Sequence, residues 1–339
     1  MKSYKFSRIF ESEKDEKMKN FQNPLSFQNI PKNTLNINAK VYESPKHFQK
    51  QKLFSPMKTT STFQKGNIVE VYQDNFIKEI KRIGKFLNAF PFIGMDTEFP
   101  GVVYPCNSYS PDFYYQFTKA NVDKLKLIQI GITLFNKNGE YPPYISTWQF
   151  NLKFDYQKDE YSNKSLTMLT NSGINFEKLR TKGIHYDLFA EYFLVSGLLL
   201  NEQVTWISFN GFSDFAYLLK LAINDQLPKT EDKFEELLKL YFPNVYDIKI
   251  LVMNHHFLKG GLNKIANELK LERTGEVHQA GSDSMLTGDV FFELIKMNYV
   301  TGEDLRNCHN ILFGIGKGAD DTETIAYTKF INDNENGFE

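Results

Sequence analysis

A single mixed α/β domain is the fold class this sequence predicts, and three observations predict it. The chain has 339 residues, 41% of them hydrophobic and 15% aromatic, enough to fill a sizeable core. Its β-type runs cluster early, at 92–98, 125–135 and 144–154. Later short strand signals alternate with segments of helical period, the pattern of a sheet flanked by helices.

In FIKEIKRIGKFL (76–87), Phe76, Ile80, Ile83 and Phe86/Leu87 share one helical face, so a helix precedes the first strand, FIGMDTE. LKLIQIGITLF (125–135) sets Leu125, Leu127 and Gln129 against Lys126, Ile128 and Ile130. YISTWQFNLKF (144–154) is β-branched and aromatic, and NKNGEYPP between the two carries turn residues, which predicts a hairpin. Then come a helix over 187–200, a strand VTWISF (204–209), helices over 213–224 and 233–241, a brief extended piece NVYDIKIL, and helices over 261–270 and 282–299.

Residues 1–66 differ from the rest. Their aromatics follow neither period, and Lys, Asn, Gln and Ser dominate, which predicts a disordered extension. Its 13 basic and 5 acidic residues give net +8, whereas the remaining 27 basic and 36 acidic residues give −9. The main domain therefore has no broad basic face for a polyanion, and a bound metal has to offset the repulsion if it handles one. The longest apolar run, YFLVSGLLL (192–200), is about half of what a membrane span needs. MKSYKFSRIF lacks the apolar stretch of a signal peptide, so the expectation is no membrane and a cytoplasmic and nuclear location. Cys106 and Cys308 have neither CxxC spacing nor histidine neighbours and are expected to be reduced thiols.

Chemistry enters at FIGMDTEFPG (92–101). Side chains alternate along a strand, so Asp96 and Glu98 point to one face and Thr97 to the other. Apolar residues run straight into the two acids, which places like charges where core meets surface and calls for a cation between them. Asp214 lies in the first turn of one predicted helix and Asp283 opens another, with His278 in the loop before it. Taken singly, each helix-start acid is explained by the helix dipole. Together, the four carboxylates form an all-oxygen ligand set for hard divalent ions, as a two-metal phosphodiester hydrolase needs, and a histidine can take the proton from an attacking water.

At these residues the chain resembles the DEDDh exonucleases, and more closely the Caf-type deadenylases, the poly(A)-specific exoribonuclease subunits of the CCR-NOT complex. MDTEFPGVV, NVDKLKLIQIGITL, GEYPP with STWQFN, LLKLYFPNVYDIK, LKGGLNKIANEL and HQAGSDSMLTGDVFF carry the resemblance, which covers about residues 68–318. It implies a ribonuclease H-like mixed β-sheet flanked by α-helices over 67–318, between the extension and a polar acidic tail at 319–339. Asp96, Glu98, Asp214 and Asp283 are implied to hold two divalent ions, Mg²⁺ with Mn²⁺ as the alternative, and His278 to act as general base. Phe99 and Leu262 are implied to line the substrate path. The implied activity is 3′ to 5′ shortening of mRNA poly(A) tails with release of 5′-AMP. The implied partners are poly(A) RNA, a NOT-type scaffold subunit and BTG/Tob-type adaptors. One departure from the family matters, FNGFSDF (209–215) where FHSGYDF is usual, and the long polar extension is not a general family feature either. Two alternatives stand beside this reading: a scaffold or adaptor-docking subunit with weak catalysis, and a general DEDD exonuclease acting on other single-stranded nucleic acid.

Overall fold

The computed structural model describes residues 67–105 and 112–315. The extension expected over 1–66, Cys106 and the tail expected over 319–339 lie outside the described residues. The described chain runs β1 (Asn67–Val71), α1 (Phe76–Phe86), β2 (Phe92–Glu98), α2 (Phe113–Val122), β3 (Gln129–Phe135) and β4 (Ile145–Asn151). It continues through α3 (Asn163–Asn171), α4 (Phe176–Lys182), α5 (Tyr186–Val195), β5 (Thr205–Ser208), α6 (Phe212–Ile223) and α7 (Glu231–Tyr241). Last come β6 (Val245–Asp247), α8 (Ile248–Val252), α9 (Leu262–Glu268), α10 (Ala280–Lys296) and α11 (Gly302–Cys308).

The strands form one sheet in the order β1-β4-β3-β2-β5-β6. β2, β3 and β4 make an antiparallel meander, while β5 runs parallel to β2, β6 to β5, and β1 to β4. This is the ribonuclease H-like mixed sheet that the resemblance implies. Alternation along β2 decides what each face carries. Ile93 and Met95 point into the main core with Ile80, Ile83, Phe189, Phe193, Phe215 and Leu218, the faces of α1, α5 and α6. Gly94, Asp96 and Glu98 point the other way, toward α10. All seven residues of β3 are buried, because helices cover both sides of the sheet.

The expected elements are present with shifted ends, and three differences have physical causes. Residues 125–128 are not strand: Leu125 closes the turn after α2 through its N–H to the Asn121 carbonyl, and Leu125 and Leu127 are buried from a loop. The helix FYYQFTKANV (113–122) and the polar helices α3 and α4 were absent from the expectation, since aromatic-rich and polar runs show little helical period. In NVYDIKIL only Val245–Asp247 is extended. Asp247 then accepts the Lys249 N–H and starts α8.

No helix among the described residues is long and apolar enough to cross a membrane. Close approach of α10 to the sheet is what positions the site, and Gly131 on β3 makes it possible. A Cβ there would lie 1.8 Å from the Ala280 carbonyl oxygen, a backbone atom that has nowhere to go. Gly131→Ala is therefore expected to destabilise the protein by more than about 3 kcal/mol. Denaturant unfolding checks this, and an unchanged midpoint would show that α10 is not tightly held.

Candidate active site

The site forms where β2 leaves the sheet, and it draws on both helical layers. Asp96 sits directly opposite Gly131, and Glu98 opposite Gln129. Because Gly131 has no side chain, the first turn of α10 comes in over it and brings Asp283 to the same point. One carboxylate oxygen from each of Asp96, Glu98 and Asp283 can be chosen so that all lie within 4.8 Å of one another. Glu98 and Asp283 are buried and Asp96 is half-buried.

Asp214 arrives from the other layer. It lies in the first turn of α6, and its Oδ1 accepts both the backbone N–H (3.1 Å) and the hydroxyl of Thr97. Thr97 is the residue between the two acids of β2, and its side chain points away from them. The same alternation that pairs Asp96 with Glu98 therefore also tethers Asp214 to their strand. Asp214 lies outside the tight trio, although its charge reaches both Asp96 and Glu98.

Crowding shows in the ionisation. Burial, followed by the charges of Asp283, Asp214 and Glu98, holds Asp96 well above the usual carboxylate range. Burial and then Asp283 and Asp214 do the same to Glu98. Burial pushes Asp214 up to about 6, against the opposing effect of the Thr97 hydrogen bonds.

The cation that meets these acids is Arg273, a residue the sequence reading missed. Its Nη2 lies 2.8 Å from Asp283 Oδ1, its Nη1 donates to Ser282 Oγ at 2.8 Å, and its Nε donates to Asn263 Oδ1 at 3.1 Å. It lowers both Asp96 and Glu98. One arginine against four carboxylates leaves three negative charges, so the donor set fits hard divalent cations. Nothing in ERTGEVHQ distinguishes Arg273 from an ordinary surface arginine.

His278 is exposed and adopts a left-handed conformation (φ 61°). Its backbone N–H donates to Asp283 Oδ2 at 2.9 Å, and its carbonyl accepts from Ser172 Oγ at 2.9 Å. Phe99 stacks on Tyr217 of α6, centroids 5.1 Å apart, and is half-buried. Leu262 packs half-buried on the core under α10, while its neighbour Asn263 holds Arg273. Among the named site residues, then, Asp96, Glu98 and Asp283 converge, Asp214 adjoins them, His278 is joined to them through its backbone, and Phe99 and Leu262 are packed alongside.

The CAF1 family of ribonucleases matches residues 71–195 and 189–291. The chain belongs to this family. The family's poly(A) ribonuclease pop2 of Schizosaccharomyces pombe is 43% identical over 252 residues, covering 74% of this chain and 75% of that protein. The solved structure of S. pombe Pop2p with Mg²⁺ and Mn²⁺ bound is similar at a TM-score of 0.69 and 41% identity, over 73% of this chain and 99% of that one. A yeast NOT1 MIF4G domain crystallised with CAF1 offers a further likeness, with TM-score 0.63, 28% identity, and 77% of this chain and 100% of the matched chain covered. The CAF1 fold thus spans the described part of the chain, and every named site residue lies inside the family match.

The crowded acids make a measurable demand. Asp214, ordinary in an unfolded chain and raised to about 6 when folded, favours the fold below its unfolded value and loses that contribution as pH rises through about 6. Without metal, thermal stability is expected to fall between pH 4 and 7, and Mn²⁺ is expected to raise it most above pH 6. Asp96→Asn should stabilise the metal-free chain by about 1–2 kcal/mol and shrink the metal-induced shift. Thermal melts at pH 5 and 7.5, with and without Mn²⁺, test this. A lower metal-free melting point in Asp96→Asn would contradict it.

Proposed function

We propose that this chain is a divalent-metal-dependent 3′ to 5′ exoribonuclease that shortens mRNA poly(A) tails, acting as the catalytic deadenylase subunit of a CCR-NOT complex. The observation that carries the proposal is the convergence of Asp96, Glu98 and Asp283 oxygens within 4.8 Å, inside the region that matches the CAF1 ribonucleases. The name of the pop2 relative supplies the poly(A) substrate, and the Mg²⁺- and Mn²⁺-bound Pop2p structure supports the choice of ions.

Asp96, Glu98, Asp214 and Asp283 are the residues that would hold the ions. When bound, two such ions supply an activated water and neutralise charge on the phosphodiester and the departing oxygen. The protein's own residues do the rest. Buried acids fixed by Thr97 and Arg273 cannot spread apart, so the donor set is preorganised rather than assembled on binding. His278, exposed at the rim and anchored through Asp283, takes the proton of the attacking water on its imidazole nitrogen. The new bond joins the water oxygen to phosphorus, the bond from phosphorus to the 3′-oxygen breaks, and 5′-AMP leaves. The departing 3′-oxygen takes a proton from solvent and becomes the new 3′-hydroxyl of the shortened tail. Phe99, stacked on Tyr217 of α6, and the half-buried Leu262 belong to the proposed substrate path on the strength of the resemblance.

The NOT1 MIF4G domain seen with yeast CAF1 supports a NOT-type scaffold as partner, and BTG/Tob-type adaptors belong to the proposal on the strength of the resemblance. The proposal includes action in cytoplasm and nucleus, with the ribonuclease domain spanning 67–318. Three raised carboxylates kept together with one arginine favour a working metal site over a purely scaffolding role, since a scaffold gains nothing from that repulsion.

The full chain with Mg²⁺ and a 3′-adenosine-tailed RNA is expected to give a ladder of products one nucleotide apart. Asp96→Ala should slow the reaction by roughly a hundredfold or more. Undiminished shortening by that variant would refute the site, and equal rates on DNA or on other homopolymer tails would refute the poly(A) assignment.

A further inference from the structure

Two rows of polar side chains cross the sheet behind the carboxylates. Asp96 faces Gly131, which faces Gln149, and Gln149 pairs with Glu70 on the edge strand β1. Glu98 faces Gln129, which faces Asn151. Paired residues share a face, so both rows lie under the start of α10.

Hydrogen-bond direction fixes how these amides are turned. Gln149 Oε1 accepts the Gly281 N–H at 2.8 Å, so the oxygen must be on that side. Its Nε2 then donates to Glu70 Oε1 at 2.8 Å and to Gln279 Oε1 at 2.7 Å. Gln279 in turn has its Nε2 left for the Ser172 carbonyl, 2.8 Å away. The single Ser172 Oγ proton is shared between the carbonyls of Leu169 at 2.8 Å and His278 at 2.9 Å. Gln129 repeats the pattern, accepting the Ala280 N–H at 3.3 Å and donating to Asn151 Oδ1 at 2.8 Å. Gln149, Gln129 and Asn151 are each at most 3% exposed, and such a network holds its shape only when every member is satisfied.

The chain of contacts ends on one residue. His278 is clamped at its N–H by Asp283 and at its carbonyl by Ser172, with φ in the left-handed region that a non-glycine residue adopts only when its surroundings impose it. From these contacts we infer that Gln149, Gln279 and Ser172 are positioning residues that hold the His278 backbone at the rim of the metal site, so that its ring meets the attacking water. None of the three side chains hydrogen-bonds to the four carboxylates, and Gln279 meets Asp283 only through its backbone carbonyl, which accepts the Asp283 N–H at 3.0 Å.

This inference rests on His278 as general base, and its test separates the two. Gln279→Glu keeps the shape but turns an acceptor toward the Ser172 carbonyl, and Ser172→Ala removes only a hydroxyl, so a folded variant is available either way. At saturating Mg²⁺, each is expected to lower kcat on an adenosine-tailed RNA by roughly ten- to a hundredfold with KM unchanged. In a His278→Ala background the same changes are expected to cost nothing more, because the residue they act through is gone. Unchanged kcat in both single variants overturns the inference, as does a loss that adds fully to that of His278→Ala. If His278→Ala itself leaves kcat intact, the general-base assignment fails and the inference with it. A loss seen in His278→Ala but in neither variant removes the positioning role alone.

Discussion

The contact on which the site depends is the backbone of α10 lying directly on the sheet. Gly131 opposite Asp96 and Gly94 two residues before it leave no side chains in the gap, where added Cβ atoms would meet the Ala280 and Ser284 carbonyls. With side chains filling the gap between helix and sheet, an aspartate in the first turn would stand off from the strand. Contact at the backbone level removes that distance. It also delivers the N–H groups of Ala280 and Gly281, which have no partner within the helix, to Gln129 and Gln149.

That geometry brings a conflict of charge. Asp96, Glu98 and Asp214 all sit above the ordinary carboxylate range, mainly through burial, and each neighbour's charge makes the next acid harder to ionise. Arg273 relieves part of this. Its guanidinium donates to Asp283 Oδ1 and is tied down by Asn263 and Ser282, while Asp283 Oδ2 accepts the His278 N–H. The LKGGLNKIANEL segment thus reaches the site through Asn263, which holds Arg273, whereas Leu262 packs half-buried against the core.

How much of this was legible in the sequence follows from how local each signal is. Asp96 and Glu98 could be found because period-two alternation is a property of two neighbouring residues and the apolar lead-in is adjacent. Asp214 and Asp283 looked like ordinary first-turn acids until the four were taken together. Arg273, Gln149 and Gln279 were not legible at all, because their meaning lies in partners far along the chain. Gln149 contacts residues 70, 279 and 281, and the pairing of β1 with β4 that brings them together leaves no local mark. The strand expected to begin at 125 was misplaced for a related reason, since Leu125 and Leu127 are buried by the end of the α2 turn and alternate only by coincidence.

The departure FNGFSDF also takes on a different weight. Asp214 is placed by the start of α6, and that start is held through backbone. Asp247, fully buried on β6, accepts the N–H groups of Asn210 at 2.8 Å, Gly211 at 3.1 Å and Phe313 at 3.1 Å, as well as Lys249. These bonds partly offset the effect of burial, which raises Asp247. Asn210 takes the left-handed conformation that asparagine tolerates well (φ 57°), and at Gly211 an added Cβ would lie 2.3 Å from Ser208 Oγ. None of the hydrogen bonds to Asp247 involves the side chains of residues 210 and 213. With asparagine and serine where the family usually has histidine and tyrosine, Thr97 and Asp247 still hold Asp214 beside the other three carboxylates.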